Sequence, residues 1–231
     1  PLISALVPSR RPAKMLLSVV RQVRALFNEP DCCEWIVRID DDYEEQESLR
    51  VGLAGIPHKI LVGPRGNGYD DLHLMYNDCA KSSQGEWLWI LNDDLTVTGP
   101  PGLDNALRGW PDTTVVIKAL EREHESMWLN QPAMHPIISR QCYRAIGYIS
   151  AHCLNDSWID EVYCKRYRAQ RVCFEDWKIT YGTDNMAKHH RDPRQWERRW
   201  GVFHTRGHVA QREIAAARLL VNIGPPPAFN V

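Results

Sequence analysis

Two acidic clusters stand directly behind short apolar runs. Asp40, Asp41 and Asp42 follow residues 35–39, and Asn92, Asp93 and Asp94 follow residues 87–91. In an open parallel sheet, ligands gather beyond the carboxyl ends of the strands. If both runs are strands of one such sheet, the two clusters share an edge, and their mutual repulsion must be offset by cations or hydrogen-bond donors. A divalent ion does this. Hard oxygen ligands select Mg²⁺ or Mn²⁺ over zinc, and such an ion is held by one or two carboxylates together with substrate phosphates. The plainer reading is that acidic residues at strand ends cap turns and face water. It applies best to Asp41 and Asp42, which are followed by Glu44 and Glu45.

The elements that must position these groups alternate along the chain. Residues 3–7 read as an apolar strand closed by Pro8 and Ser9, and Pro12 suits a helix first turn. Met15, Leu16, Val19, Val20, Val23, Leu26 and Phe27 then recur at helical spacing. Residues 35–39, 59–62 and 87–91 are further strands, the last with the low polarity of a strand covered on both faces. Between them Leu72, Met75, Tyr76, Cys79 and Ala80 form a helical stripe that stops near Gly85. This alternation predicts an α/β fold with a mostly parallel, Rossmann-like sheet and right-handed crossovers. Beyond Pro101 the pattern predicts strands at 115–119 and 177–181. It predicts helices at 140–146, 159–167, 193–200 and 209–220, the first opened by Ser139 and closed by Gly147.

Composition limits the classes available. With 44% hydrophobic and 25% charged residues in 231, the chain is not a disordered one. No apolar run reaches the roughly 18 residues needed to span a bilayer, and no signal-peptide pattern opens the chain. The expectation is a soluble, cytoplasmic protein. The seven cysteines include no CxxC pair, which fits neither a disulfide framework nor a zinc site and suggests free thiols in a reducing compartment. Residues 164–218 carry 13 Lys+Arg against 6 Asp+Glu, leaving 15 against 23 for the rest. A basic carboxy-terminal quarter suits an anionic partner, or is simply a solvated helical face. Two units are expected: residues 1–185, and a basic helical extension at 186–231 with a Pro-rich tail.

Several of these stretches together resemble family 2 glycosyltransferases with the GT-A fold. They are Ala5 to Pro12 after the first strand, Val37 to Asp41 after the second, Tyr76 to Ala80, and Gly85 to Asp94. The last ends where that family carries a DxD motif, with Asn92 in place of its first acidic residue. The resemblance spans roughly residues 3–181. It implies a metal-dependent, inverting transfer of sugar from a nucleotide-diphosphate donor, UDP-linked by preference, to a hydroxyl acceptor. Pro8, Ser9, Arg10, Asp40, Arg65, Asn77 and Asp93 are then expected around the donor. Asp94 and Asn92 are expected on Mn²⁺ or Mg²⁺, with a further ligand from His189 or His190 and with His204 and His208 behind them.

Inverting transfer needs a carboxylate to take the acceptor's proton. The family's position for it falls near Asp160, Glu161 and Asp156, in that order of preference. The acceptor reads as a glycan or, from the basic stretch between Lys188 and Arg199 with its tryptophans, a hydroxylated base in DNA. Two other functions fit parts of the pattern: a non-catalytic sugar-nucleotide-binding module, marked by Asn92, and a nucleotidyltransferase. The latter normally places a Gly-rich loop after the first strand, where this chain has Pro8, Ser9, Arg10, Arg11 and Pro12.

Overall fold

The strand nearest the amino terminus, β1 (Ile3–Pro8), lies inside the sheet, flanked by β2 (Cys33–Asp40) and β4 (Trp87–Ile90), both parallel to it. The computed structural model describes residues 1–110, 116–120, 134–168, 171–181 and 193–225. Strand β3 (His58–Gly63) extends the parallel half beyond β2. The other half is mixed: β5 (Leu95–Thr98), β6 (Val116–Leu120), β7 (Ile137–Ser139) and β8 (Arg171–Tyr181) complete the order β3-β2-β1-β4-β7-β6-β8-β5. The expected parallel sheet is therefore its 3-2-1-4 half, with β7 turning antiparallel against β4.

Side chains on β1 and β4 alternate between two apolar layers, as the period of a strand requires. Ile3, Ala5, Val7, Trp87 and Trp89 face helix α1 (Ala13–Arg24), which buries Leu16, Val19, Val20 and Val23 in the same layer. Leu6, Leu88 and Ile90 face the other way. There they meet α3 (Leu72–Ser82) and α5 (Arg140–Ile146), and α6 (Asn155–Ile159) with its continuation as a π-type turn, Asp160–Arg166. Two shorter helices, α2 (Gln46–Gly52) and α4 (Leu103–Arg108), cover the sheet's margins.

The last two helices, α7 (Pro193–Phe203) and α8 (Arg206–Ile223), close the second layer. Phe203, Ala215, Ala216 and Leu219 are buried in the same cluster as Leu6 and Ile36. The His152 ring lies edge-on to Phe203 and His208, at 5.2 and 5.0 Å between centroids. Arg212 is buried on α8 and donates to the Phe203 carbonyl at 2.8 Å. The described part of the expected extension thus belongs to the main core.

Individual boundaries follow local chemistry. Ser139 caps α5 by accepting from the Cys142 N–H, and Gly147 ends it at φ 94°. The helix expected at 159–167 begins earlier, at Asn155. The strand expected at 177–181 is the end of the longer β8. At the amino edge of the sheet, Glu34 is buried and accepts from the Ser4 hydroxyl at 2.6 Å and from the backbone N–H groups of Gln84 and Gly85. Among the described residues the cysteines with placed side chains are free, and no helix is long and apolar enough to cross a membrane.

Glycine substitutions should separate tight from open positions. A Cβ on Gly85 would lie 2.6 Å from the Ile3 backbone carbon, whereas one on Gly201 in α7 meets nothing within 4 Å. Gly85→Ala is expected to cost about 1–3 kcal/mol, and Gly201→Ala to gain roughly 0.5–1 kcal/mol. Denaturant midpoints of the two variants, moving in opposite directions from wild type, check this.

Candidate active site

The turn after β1 and the loop after β4 are joined through one buried carboxylate. Asp93 Oδ2 accepts the Ser9 hydroxyl at 2.7 Å and the backbone N–H groups of Arg10 and Arg11, each at 3.2 Å. Because β1 and β4 are parallel neighbours, their carboxyl ends meet. Three donors on one side then satisfy an acid carried by the other. Burial, the largest influence, pushes the Asp93 carboxyl up; the Ser9 hydroxyl and the two N–H groups oppose it, while Asp94 adds to it.

Asp93, expected among the donor-binding groups, spends its Oδ2 on the turn after β1. Asn92 and Asp94 flank it in the same loop, and Arg11 also reaches Asp93, at 3.8 Å. The Asn92 amide oxygen accepts the Tyr76 hydroxyl at 2.9 Å, and the same hydroxyl also donates to the Leu91 carbonyl. Asp94, its side chain 6% exposed, pairs with Arg11 at 2.7 Å.

Asp40 stands at the end of β2 on the same edge. It receives Arg10 at 2.8 Å and Arg38 at 3.6 Å. Arg38 precedes it by two residues, so both point to one face, and Gly63 leaves the room: a Cβ there would lie 2.6 Å from the guanidinium. Asp41 and Asp42 are exposed, and Asp42 pairs with Arg65 at 2.6 Å on the rim. Asp41 and Asp42 thus face water, as the plainer reading has it. Arg10, Arg11, Arg38 and Arg65 supply positive charge along this acidic edge, so part of the offset comes from the chain itself. Tyr43 and Glu45 steady the same turn, donating to the Arg11 carbonyl and accepting from the Ala13 N–H, both at 2.8 Å.

Asn92 and Asp94 present an amide oxygen and a carboxylate, the hard donors that Mg²⁺ and Mn²⁺ take. Such ions need only one or two carboxylates when phosphate oxygens complete the sphere. The donor set therefore fits such an ion. His189 and His190 lie outside the described residues; within those residues no three His, Cys, Asp or Glu side chains converge in a metal-binding group. His204 stacks on Trp200 at 5.6 Å, and His208 sits in the seam with His152.

The other expected residues separate by environment. Asn77 spends its side chain on the loop before α6: its amide donates to the Ser150 carbonyl at 2.8 Å, and its oxygen accepts from the Ile149 and Ser150 N–H groups. These bonds hold that loop against α3. Asp160 is 2% exposed, with Lys165 at 3.9 Å. Glu161 is gripped by Lys165 and Arg166; burial pushes its carboxyl up, but the two cations hold it below the usual range. Asp156 is half-buried in the first turn of α6, and burial pushes its carboxyl up. Its charge is felt at Tyr69, in the 3-10 turn Gly68–Asp71 that follows β3.

A 3-2-1-4 parallel half with acidic strand ends on one edge, completed by a mixed half, is the GT-A arrangement of nucleotide-sugar glycosyltransferases. The chain is similar in structure to the mannosyltransferase PcManGT from Pyrobaculum calidifontis, solved with GDP-Man and Mn²⁺, at TM-score 0.64 and 14% identity over 99% of this chain and 76% of that one. It is also similar to S. aureus TarS, at TM-score 0.61 and 13% identity over 79% of this chain and only 37% of that one. A third is glucosyl-3-phosphoglycerate synthase from Mycobacterium tuberculosis with Mn²⁺ and UDP, at TM-score 0.55 and 12% identity over 98% and 81%. At these identities the likeness establishes the fold. No protein-family model and no curated protein matches the sequence.

The buried Asp93 yields a pH test. A carboxyl whose folded pKa lies above its unfolded value contributes stability below the unfolded pKa and loses it as pH rises through the folded one. Asp93→Asn lacks that loss. The Tm of Asp93→Asn minus that of wild type is therefore expected to climb between about pH 4 and pH 7, read by thermal melts in matched buffers. A difference that falls across this range contradicts the assignment.

Proposed function

We propose that the chain is a metal-dependent glycosyltransferase that moves a sugar, with inversion, from a nucleotide-diphosphate donor to a hydroxyl acceptor. The observation that carries this reading is the shared edge, where Ser9, Arg10 and Arg11 reach both Asp40 and the Asn92–Asp94 loop. The folds of proteins solved with GDP-Man and Mn²⁺, or with UDP and Mn²⁺, support it. Asp40, at the end of β2, would accept from the nucleoside. Arg10, Arg11 and Arg65 would face donor oxygens at the rim. Asp94 and Asn92 would hold Mn²⁺ or Mg²⁺, which when bound stabilises the charge of the leaving diphosphate.

Asp156 is the preferred base. A carboxyl raised by burial lies closer to the working pH and removes a proton more effectively than one held low by cations. This moves Asp156 ahead of Glu161, held low by its cations, and of the more deeply buried Asp160. In the step, the acceptor oxygen bonds to the anomeric carbon from the face opposite the diphosphate. The glycosidic carbon–oxygen bond to phosphate breaks with its electron pair leaving on the diphosphate, and the acceptor proton passes to Asp156.

The nucleotidyltransfer alternative needs backbone N–H groups after β1 to cradle a phosphate. Here Arg10 and Arg11 donate theirs to Asp93 instead. Of the basic stretch from Lys188 to Arg199 behind the DNA-acceptor reading, residues 188–192 lie outside the described residues.

Thermal shift with UDP- and GDP-sugars, with and without Mn²⁺, tests the donor half. Asp94→Ala is expected to abolish the metal-dependent part of the shift. Asp156→Asn is expected to keep donor binding while slowing transfer or donor hydrolysis by about 10²–10⁴-fold. Donor binding by wild type without any turnover would point to a binding module; unchanged turnover by Asp156→Asn would place the base elsewhere.

A further inference from the structure

Helix α7 brings two arginines to one carboxylate. Arg199 reaches Asp70 Oδ1 at 2.7 Å and Arg198 reaches Asp70 Oδ2 at 3.2 Å. Two guanidinium groups on one acid leave a surplus positive charge in the trio. The two arginines are not equivalent. Arg199 is 15% exposed, and its guanidinium lies 4.6 Å above the Tyr69 ring. The Arg199 hydrogen bond, ahead of burial, holds the Asp70 carboxyl below its ordinary range, so this pair stays ionised. Arg198 is 67% exposed and can turn to another oxyanion without giving up packing.

The trio sits beside the proposed chemistry. Tyr69 and Asp70 belong to the 3-10 turn that follows β3, whose last residue Gly63 is registered with Asp40 at the carboxyl edge. Tyr69 meets Arg199 and also lies within reach of the Asp156 charge. A hydroxyl presented to Asp156 would bring the neighbouring part of its own molecule toward Arg198. A guanidinium fork matches the paired oxygens of phosphate or carboxylate.

We infer that the acceptor carries an oxyanion, a phosphate or a carboxylate, close to its reacting hydroxyl, and that Arg198 receives it while Asp70 and Arg199 hold the receiving surface in place. This rests on the sugar-transfer reading with Asp156 as base. It also accounts for part of the basic character of the extension.

The test titrates glycerol 3-phosphate, glycerate and glycerol into the protein by calorimetry, with nucleoside diphosphate and Mn²⁺ present to fill the donor site. Arg198→Gln is compared with Arg206→Gln, which removes an equal charge from an exposed position at the start of α8. One or both anions are expected to bind wild type, the stronger identifying phosphate or carboxylate, and glycerol is not. Arg198→Gln should weaken anion binding by roughly ten-fold, as loss of a charge-assisted hydrogen bond does, while Arg206→Gln leaves it unchanged. No anion binding, or equal weakening in both variants, overturns the inference and leaves the donor reading standing. Nucleotide that fails to bind while the Arg198-dependent anion site persists sinks the sugar-transfer reading instead.

Discussion

The Asp93 carboxylate is the constraint on which the edge of the sheet depends. An acid that is buried must find donors, and the donors within reach are one hydroxyl and two backbone N–H groups of the turn after β1. Satisfying it fixes that turn against the loop after β4. That in turn aims Arg10 at Asp40 and Arg11 at Asp94. Parallel pairing brings the two segments together; the hydrogen bonds set their relative orientation.

Charge is balanced locally along this edge. Asp40, Asp42 and Asp94 each have an arginine partner, so this edge is not a concentrated negative field. Under the sugar-transfer proposal, these guanidinium groups would exchange their contacts from protein carboxylates to phosphate oxygens. The same economy recurs at Asp70, where one acid organises two arginines from a distant helix.

Much of the parallel half was legible in the sequence because strands buried on both faces write themselves as short apolar runs, and residues 3–7 and 87–91 are such runs. The acidic residues behind them marked the site edge for the same reason. Other parts were hidden. Strands β5 and β7 are four and three residues long, too short to show a period. Asp93 and Asp94 are adjacent acids whose roles diverge only once the chain direction is known. Arg11, Arg38 and Tyr76 act through neighbours far away in sequence, and no local pattern announces such pairs. Arg11 beside Arg10, and Arg38 two residues ahead of Asp40, were the available hints. The proposed preference for Asp156 over Asp160 and Glu161 rests on burial and on the Lys165–Arg166 pair, which depend on how α6 continues into its π-type turn.

One apolar layer takes side chains from opposite ends of the chain, with Leu6 and Leu219 in the same cluster. During synthesis the side of β1 that carries Leu6 therefore waits for the last helix to emerge before it is covered. Contacts so distant along the chain form slowly, and apolar surface left open in the interval invites association between nascent chains. A chain cut short just before α8 would leave that face of β1 incompletely covered.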